Sequence, residues 1–302
     1  MNDQHNSDNI NLINKQDSSR FLAAIQLQET EAEHLDRAFL VTPQYVPWPK
    51  AYGGDSVAQA AAAAIATIGD DRTLHSLHSA FLRPVEISTP VRYEVELLRD
   101  GRGYSTRHVR GYQHGKAVFM CTASFQVPET GPILGPNMPE VPAPEELPSS
   151  AEYLAANPSG RDEADDYWAH GRSFDIRHIP GPLYTRIDGL EAEHRGVWVR
   201  AFTALPDEPR VHQLAVSYVC DYTILEPSLR DLGTHWSAPG LVTASLDHAM
   251  WFHQPARADE WLLYLQESAG VQSGRGLNLG RFFARDGVLV ATVMQEGLLR
   301  QG

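Results

Sequence analysis

Three short motifs occur twice in this chain, in the same order and at nearly constant spacing. Phe81-Leu82-Arg83-Pro84 answers Phe252-His253-Gln254-Pro255 at an offset of 171, Gly101-Arg102-Gly103 answers Gly274-Arg275-Gly276 at 173, and His114-Gly115 answers Asp286-Gly287 at 172. Each pair alone is weak. Three in the same order imply an internal duplication, so whatever element order one half adopts must recur in the other. A length of 302 residues fits two such units, since a domain takes ~150 residues.

In the first half, residues 57–68 read as a helix made largely of alanine, with Asp55 or Ser56 as its N-cap. Alanine lets other backbone approach closely, which predicts a sheet wrapped tightly round this helix. A short strand at 38–41, a proline-rich approach at 43–49 and the pair Gly53-Gly54 precede it. After it the apolar period drops towards two, and strands are predicted at 74–82, 91–99, 104–112 and 117–127. The second half repeats the plan. Strands at 174–179 and 197–202 lead to a helix at 211–225. A loop at 226–240 and strands at 241–251, 261–268, 277–283 and 288–297 follow. The class is α+β, two tandem units each with a central helix and antiparallel strands. Edge strands of the two units would pair and hide their open hydrogen bonds. The expected division is a disordered leader 1–20, an N-terminal unit 21–128, a Pro-rich linker 129–170 and a C-terminal unit 171–302.

Composition narrows the partners. A net charge of −13 disfavours a nucleic-acid backbone or an anionic membrane surface. No apolar run approaches the ~20 residues of a membrane span. The two cysteines, Cys121 and Cys220, form no C-x-x-C, which fits a reducing, cytoplasmic setting. The polar, Asn-rich start lacks the apolar core of a secretory signal.

The 211–225 stretch is apolar nearly all round, and Asp221 is its only formally charged side chain. A carboxylate in a dry place is costly unless something pairs with it or uses it; alternatively the helix turns Asp221 to solvent. The usual nucleophile and cofactor signatures are missing. Gly270-Val271-Gln272-Ser273-Gly274 has the wrong spacing for a nucleophile elbow. Gly101-x-Gly103 and Gly274-x-Gly276 sit between strands, so they read as hairpin turns rather than a dinucleotide loop. His248 and His253, five apart on a strand, face opposite ways and are a poor metal pair. What remains is Asp221, Ser245 and Gln295. A carboxylate can take a proton from water, a hydroxyl and an amide can hold that water at the attack angle, and backbone N–H groups at a helix start can hold an oxyanion.

At these residues the chain resembles the acyl-CoA thioesterase II family (TesB type). The resemblance runs through Tyr52-Gly53-Gly54, His75-Ser76-Leu77-His78-Ser79-Ala80-Phe81-Leu82-Arg83-Pro84, Thr122-Ala123-Ser124-Phe125-Gln126, Leu246-Asp247-His248-Ala249-Met250-Trp251-Phe252-His253 and Gln295-Glu296-Gly297, and spans 21–300 apart from the linker. It implies a double hot-dog fold, hydrolysis of medium- to long-chain fatty acyl-CoA to free acid and CoA without metal or other cofactor, and a homodimer or homotetramer. The family's catalytic Asp, Thr or Ser, and Gln fall on Asp221, Ser245 and Gln295. Position 245 is Ser where bacterial members often have Thr. The family's Gly-Gly-Gln reads Gly53-Gly54-Asp55 here, leaving Asp55 as a helix cap or as a second acid near the acyl pocket. Gly53, Gly54, Asp55, His78, Arg83 and Met250 are the candidate substrate contacts. The rival classes are a hot-dog hydratase, which needs a histidine base near the central helix, for which His212 is the candidate, and a non-catalytic acyl-CoA-binding module.

Overall fold

The computed structural model describes residues 16–160, 162–187 and 192–301. In chain order these form α1 (Ser19–Ala24), β1 (Gln28–Thr30), β2 (Arg37–Val41), α2 (Gly53–Ile65), β3 (Thr73–Phe81), β4 (Val91–Asp100), β5 (Tyr104–Gln113), β6 (Lys116–Gln126), α3 (Ser150–Ala156), α4 (Asp162–Asp166), β7 (Phe174–Ile179), β8 (Gly196–Ala201), α5 (Pro209–Val219), α6 (Glu226–Asp231), β9 (Leu241–Ser245), β10 (Asp247–Phe252), β11 (Leu262–Gln272), β12 (Arg275–Ala284) and β13 (Leu289–Gln301).

The strands join in one sheet ordered β1-β2-β4-β5-β6-β3-β10-β13-β12-β11-β8-β7, with β9 pairing β13 off this path. From the β3–β10 junction outward, the two halves run in the same order. One reads β3, β6, β5, β4, β2, β1 and the other β10, β13, β12, β11, β8, β7. The repeated motifs occupy matching corners: residues 114–115 join β5 to β6, and 286–287 join β12 to β13. His114 and Gly115 have φ of 49° and 70°, the two left-handed residues that a tight hairpin needs. At the junction Met250 pairs with Leu77 and Asp247 with Ala80. Each half thereby covers the other's open edge.

The alanine helix sits where the sheet wraps it. Every residue of α2 from Gly54 to Ile65 is buried, packed on β3 to β6 and against α5. The two helices meet at Gly54, where an added Cβ would overlap the Tyr218 carbonyl oxygen. The Tyr52 hydroxyl donates to that same oxygen at 2.6 Å. The chain is a double hot-dog, two helices each held in the curve of an antiparallel sheet.

Four expectations change. First, α2 begins at Gly53 with Tyr52 as its N-cap residue, so neither Asp55 nor Ser56 is the cap; the two glycines, lacking Cβ, pack as its first turn against α5. Second, the 211–225 helix ends at Val219. Beyond it the turns tighten, with Tyr222 N–H to Val219 O and Glu226 N–H to Thr223 O. Pro227 then enters the first turn of α6, where its missing N–H costs nothing, so the expected 226–240 loop begins as a helix. Asp221 therefore sits in a turn, not within a helix. Third, the expected strand 241–251 breaks at Leu246. Ser245 pairs with Gly297 and Ala249 with Met294, four steps on one strand against three on the other, which is a β-bulge. Fourth, residues 1–15, on which most of the expected leader falls, lie outside the described residues, but Ser18 is buried and donates to the Ser173 carbonyl at 2.8 Å. The chain is thus tied to the second unit before residue 21.

Candidate active site

Asp221 leaves the end of α5 in the tightened turn, and its carboxylate meets the start of α2. Its Oδ1 accepts Gln295 Nε2 at 2.6 Å and Ser245 Oγ at 2.9 Å. Gln295 Nε2 also donates to Ser245 Oγ at 3.0 Å. The Gly54 amide bonds the same carboxylate. Gly53 lies so close to Oδ2 that any Cβ there would overlap it. This explains the glycine pair: the first-turn backbone of α2 reaches the carboxylate only where side chains are absent.

The bulge aims Ser245. On a regular strand residues 245 and 248 point to opposite faces. The extra residue reverses the alternation between them, so Ser245 Oγ and His248 Nδ1 both reach Gln295, at 3.0 and 2.9 Å.

Asp221, Ser245 and Gly53 line one wall of a cavity of about 610 Å³ whose other walls include Trp48, Phe81, Tyr222 and Leu225. Gln295 stands behind Asp221 and Ser245, wholly buried. Burial pushes the Asp221 carboxyl above its usual range. Hydrogen bonds from Gln295 and Ser245, the Lys50 charge and the Gly54 amide offset part of that rise. Lys50 also lines the cavity and donates Nζ to the Thr243 carbonyl at 2.5 Å. Its ammonium is pulled down by burial and held up by Asp221.

Among the other candidates, Gly53 and Arg83 line the cavity, Arg83 on its exposed side, and Gly54 reaches the Asp221 carboxylate through its amide. The remaining three stand away from the cavity. Asp55 is buried on the far side of the first turn of α2 and accepts Gln44 N–H at 2.7 Å and Gln44 Nε2 at 2.8 Å. Burial raises its carboxyl to about 7. His78 points outward on β3, its ring edge-on to Trp251 at 5.3 Å between centroids. Met250 is fully buried in the core, on the same inward face of β10 as His248. His212, the base a hydratase would need, is buried at the start of α5 and accepts the Ala258 amide at 3.1 Å.

Two residues at the site carry no clear mark in the sequence. Lys50 directly follows the proline-rich approach, with no periodicity to place it. His248 reads there only as a poor metal ligand, although a histidine close to Ser245 in an apolar strand is itself a polar signal.

Comparison with known proteins agrees with this architecture. Residues 170–298 match the acyl-CoA thioesterase family model, and residues 44–126 match the acyl-CoA thioesterase N-terminal domain. The chain is 36% identical to human acyl-coenzyme A thioesterase 8 over 266 residues, 85% of this chain and 82% of the relative. It is 34% identical to acyl-CoA thioesterase 2 of Haemophilus influenzae over 268 residues, 88% and 93% of the two chains. The crystal structure of acyl-CoA thioesterase II TesB2 from Mycobacterium marinum superposes with a TM-score of 0.73 at 33% identity, covering 93% of this chain and 98% of that one.

Proposed function

Because the chain belongs to the acyl-CoA thioesterase family and is an acyl-CoA thioester hydrolase, we propose that Asp221, Ser245 and Gln295 activate the attacking water. The observation that carries this reading is the shared hydrogen bonding of the three side chains, two of which, Asp221 and Ser245, stand on the wall of the cavity. Water enters beside Asp221 and is oriented by Ser245, while the Gln295 amide holds both side chains in place from behind. The Asp221 carboxylate takes its proton as the oxygen adds to the thioester carbonyl. The developing oxyanion lies at the first turn of α2, where the positive end of the helix dipole favours negative charge. The C–S bond breaks, the CoA thiolate receives the proton from Asp221, and the acid leaves. No covalent acyl-enzyme forms on this route.

The apolar walls and the cavity volume support medium- to long-chain acyl groups as substrates. Arg83 at the exposed side, in a protein of net charge −13, gives the anionic CoA a local cation. We read the protein as a cytoplasmic homodimer or homotetramer. Both cysteines are free and buried, and no described helix is long and apolar enough to cross a membrane. Thiol release from a series of acyl-CoAs, short to long, tests the reading. Maximal kcat/KM is expected on medium to long chains, and Asp221→Asn is expected to lower kcat by ~10²-fold or more. Full activity in that variant overturns the assignment of the base.

A further inference from the structure

Gln295 works only if its amide faces the right way. Asp221 Oδ1, a pure acceptor when ionised, lies 2.6 Å from one end of that amide, so this end must be the NH₂ group. Its two N–H bonds are then used, one on Asp221 and one on Ser245 Oγ at 3.0 Å. The carbonyl end must point away and find a donor, because Gln295 is wholly buried and an unmatched carbonyl in a dry place is costly. The group at that end is His248, whose Nδ1 lies 2.9 Å from Gln295 Oε1.

His248 is itself 1% exposed. Burial drives its ring down to about 4, so it is neutral under ordinary conditions, with one N–H and one acceptor nitrogen. Its other nitrogen, Nε2, lies 3.5 Å from Cys220 Sγ. The thiol in turn has the Ser217 carbonyl at 2.9 Å. Nothing on that side obliges Nε2 to hold the proton, whereas the carbonyl of Gln295 obliges Nδ1 to hold it. The contacts close a ring: Cys220 touches His248, His248 holds Gln295, Gln295 holds Asp221, and Asp221 follows Cys220 in the chain.

We propose that His248 is a positioning residue for hydrolysis, its Nδ1–H locking the Gln295 amide so that the NH₂ end faces Asp221 and Ser245. Without that donor the amide can rotate. The flipped form sets a carbonyl oxygen against the Asp221 carboxylate, removes one of the bonds that hold the carboxylate ionised, and frees the Ser245 hydroxyl from the amide that fixes it. The proposal rests on the roles given above to Asp221 and Gln295, and its test separates the two.

Two polar variants of similar bulk decide it. In His248→Asn the side-chain NH₂ falls near the place of Nδ1 and can still donate to Gln295. In His248→Gln the donor reaches towards the place of Nε2 and cannot. His248→Asn is expected to keep kcat within about threefold. His248→Gln is expected to lose at least tenfold in kcat with KM within about twofold, and the acid limb of its kcat/KM profile moves to higher pH because Asp221 is easier to protonate. The tautomer is read without mutation: ¹⁵N shifts of the wild-type histidines, with His248 assigned by its disappearance in the variants, should show the Nδ1–H form from pH 5 to 8. An Nε2–H tautomer, equal loss in both variants, or a loss in His248→Gln with an unmoved acid limb overturns the proposal. If Asp221→Asn is fully active while the His248 tautomer is the Nδ1–H form, the base assignment fails and the orientation of Gln295 stands.

Discussion

Two aspartates sit at the heart of this molecule, and they lie at the same helix start. Asp55 is in the first turn of α2; Asp221 reaches that turn from the end of α5. Burial raises the carboxyls of both. Judged by perturbation alone, Asp55, at about 7, is the better general base. Their surroundings reverse that ranking. Both Asp55 oxygens are taken by Gln44, and the residue stands off the cavity. Asp221 has its Oδ1 tied to Ser245 and Gln295 and stands on the cavity wall. A raised carboxyl pKa marks a dry place, and access to substrate is what makes it chemistry.

The two halves differ in the same way. The residue 172 positions before Gln295 is Ala123, on the matching strand β6. Opposite it on β5 is Arg107, buried, with its guanidinium on Thr67 Oγ1 at 2.9 Å, the Arg99 carbonyl at 3.0 Å and Asp100 at 2.7 Å. Where the second half holds a polar set at a cavity, the first half holds a buried cation satisfied on the protein itself. We read this as one half kept for chemistry and the other for structure.

The comparison can be broken at several points. The largest effect is expected at Asp55. Its folded pKa lies above the unfolded one, so its contribution to stability is whole below about pH 4 and is lost as pH rises through about 7. Urea unfolding of wild type and Asp55→Asn should show wild type losing ground to the variant between pH 4 and 8, by on the order of 4 kcal/mol at most. A difference independent of pH would place an ordinary carboxyl there. Next, Arg107→Met should lower stability by about 3 kcal/mol, since it strands buried acceptors, while the kcat of the folded protein stays the same; a selective loss of kcat would mean that the first half takes part in the reaction. Gln295→Leu should cost about 10²-fold in kcat, or about 2.7 kcal/mol, and about 1–3 kcal/mol of stability in calorimetry, since it strands the buried His248 N–H. The smallest effect is expected for Ser245→Thr, which keeps the hydroxyl and adds a methyl. Steady-state rates within about fivefold of wild type fit the water-holding role, and a much larger loss would point to a crowded site.

Much of the fold is legible in the sequence because period and punctuation are local properties. The strand alternation, the tight turns and the alanine helix follow from residues within a few positions of one another, and the constant offset exposes the repeated order. Three features at the site are not legible for the opposite reason. The end of α5 at Val219 depends on turns that aim Asp221 at a helix some 170 residues away in sequence. The bulge between β9 and β10 is set by pairing with β13, which no local pattern records. Met250 reads like a tunnel residue in its strand, yet it is wholly buried in the core, a depth that strand alternation does not reveal. The resemblance names Asp221, Ser245 and Gln295; only the folded chain shows that they share hydrogen bonds, with His248 behind them.

The most direct test sets the two aspartates side by side. Thiol release from one medium-chain acyl-CoA is followed for Asp221→Asn and Asp55→Asn, each checked for folding by circular dichroism. If Asp221 is the base, kcat falls by ~10²-fold or more in Asp221→Asn and stays within about threefold of wild type in Asp55→Asn. The reverse pattern, an active Asp221→Asn beside an inactive, folded Asp55→Asn, would contradict that assignment and move the chemistry to the aspartate that stands off the cavity.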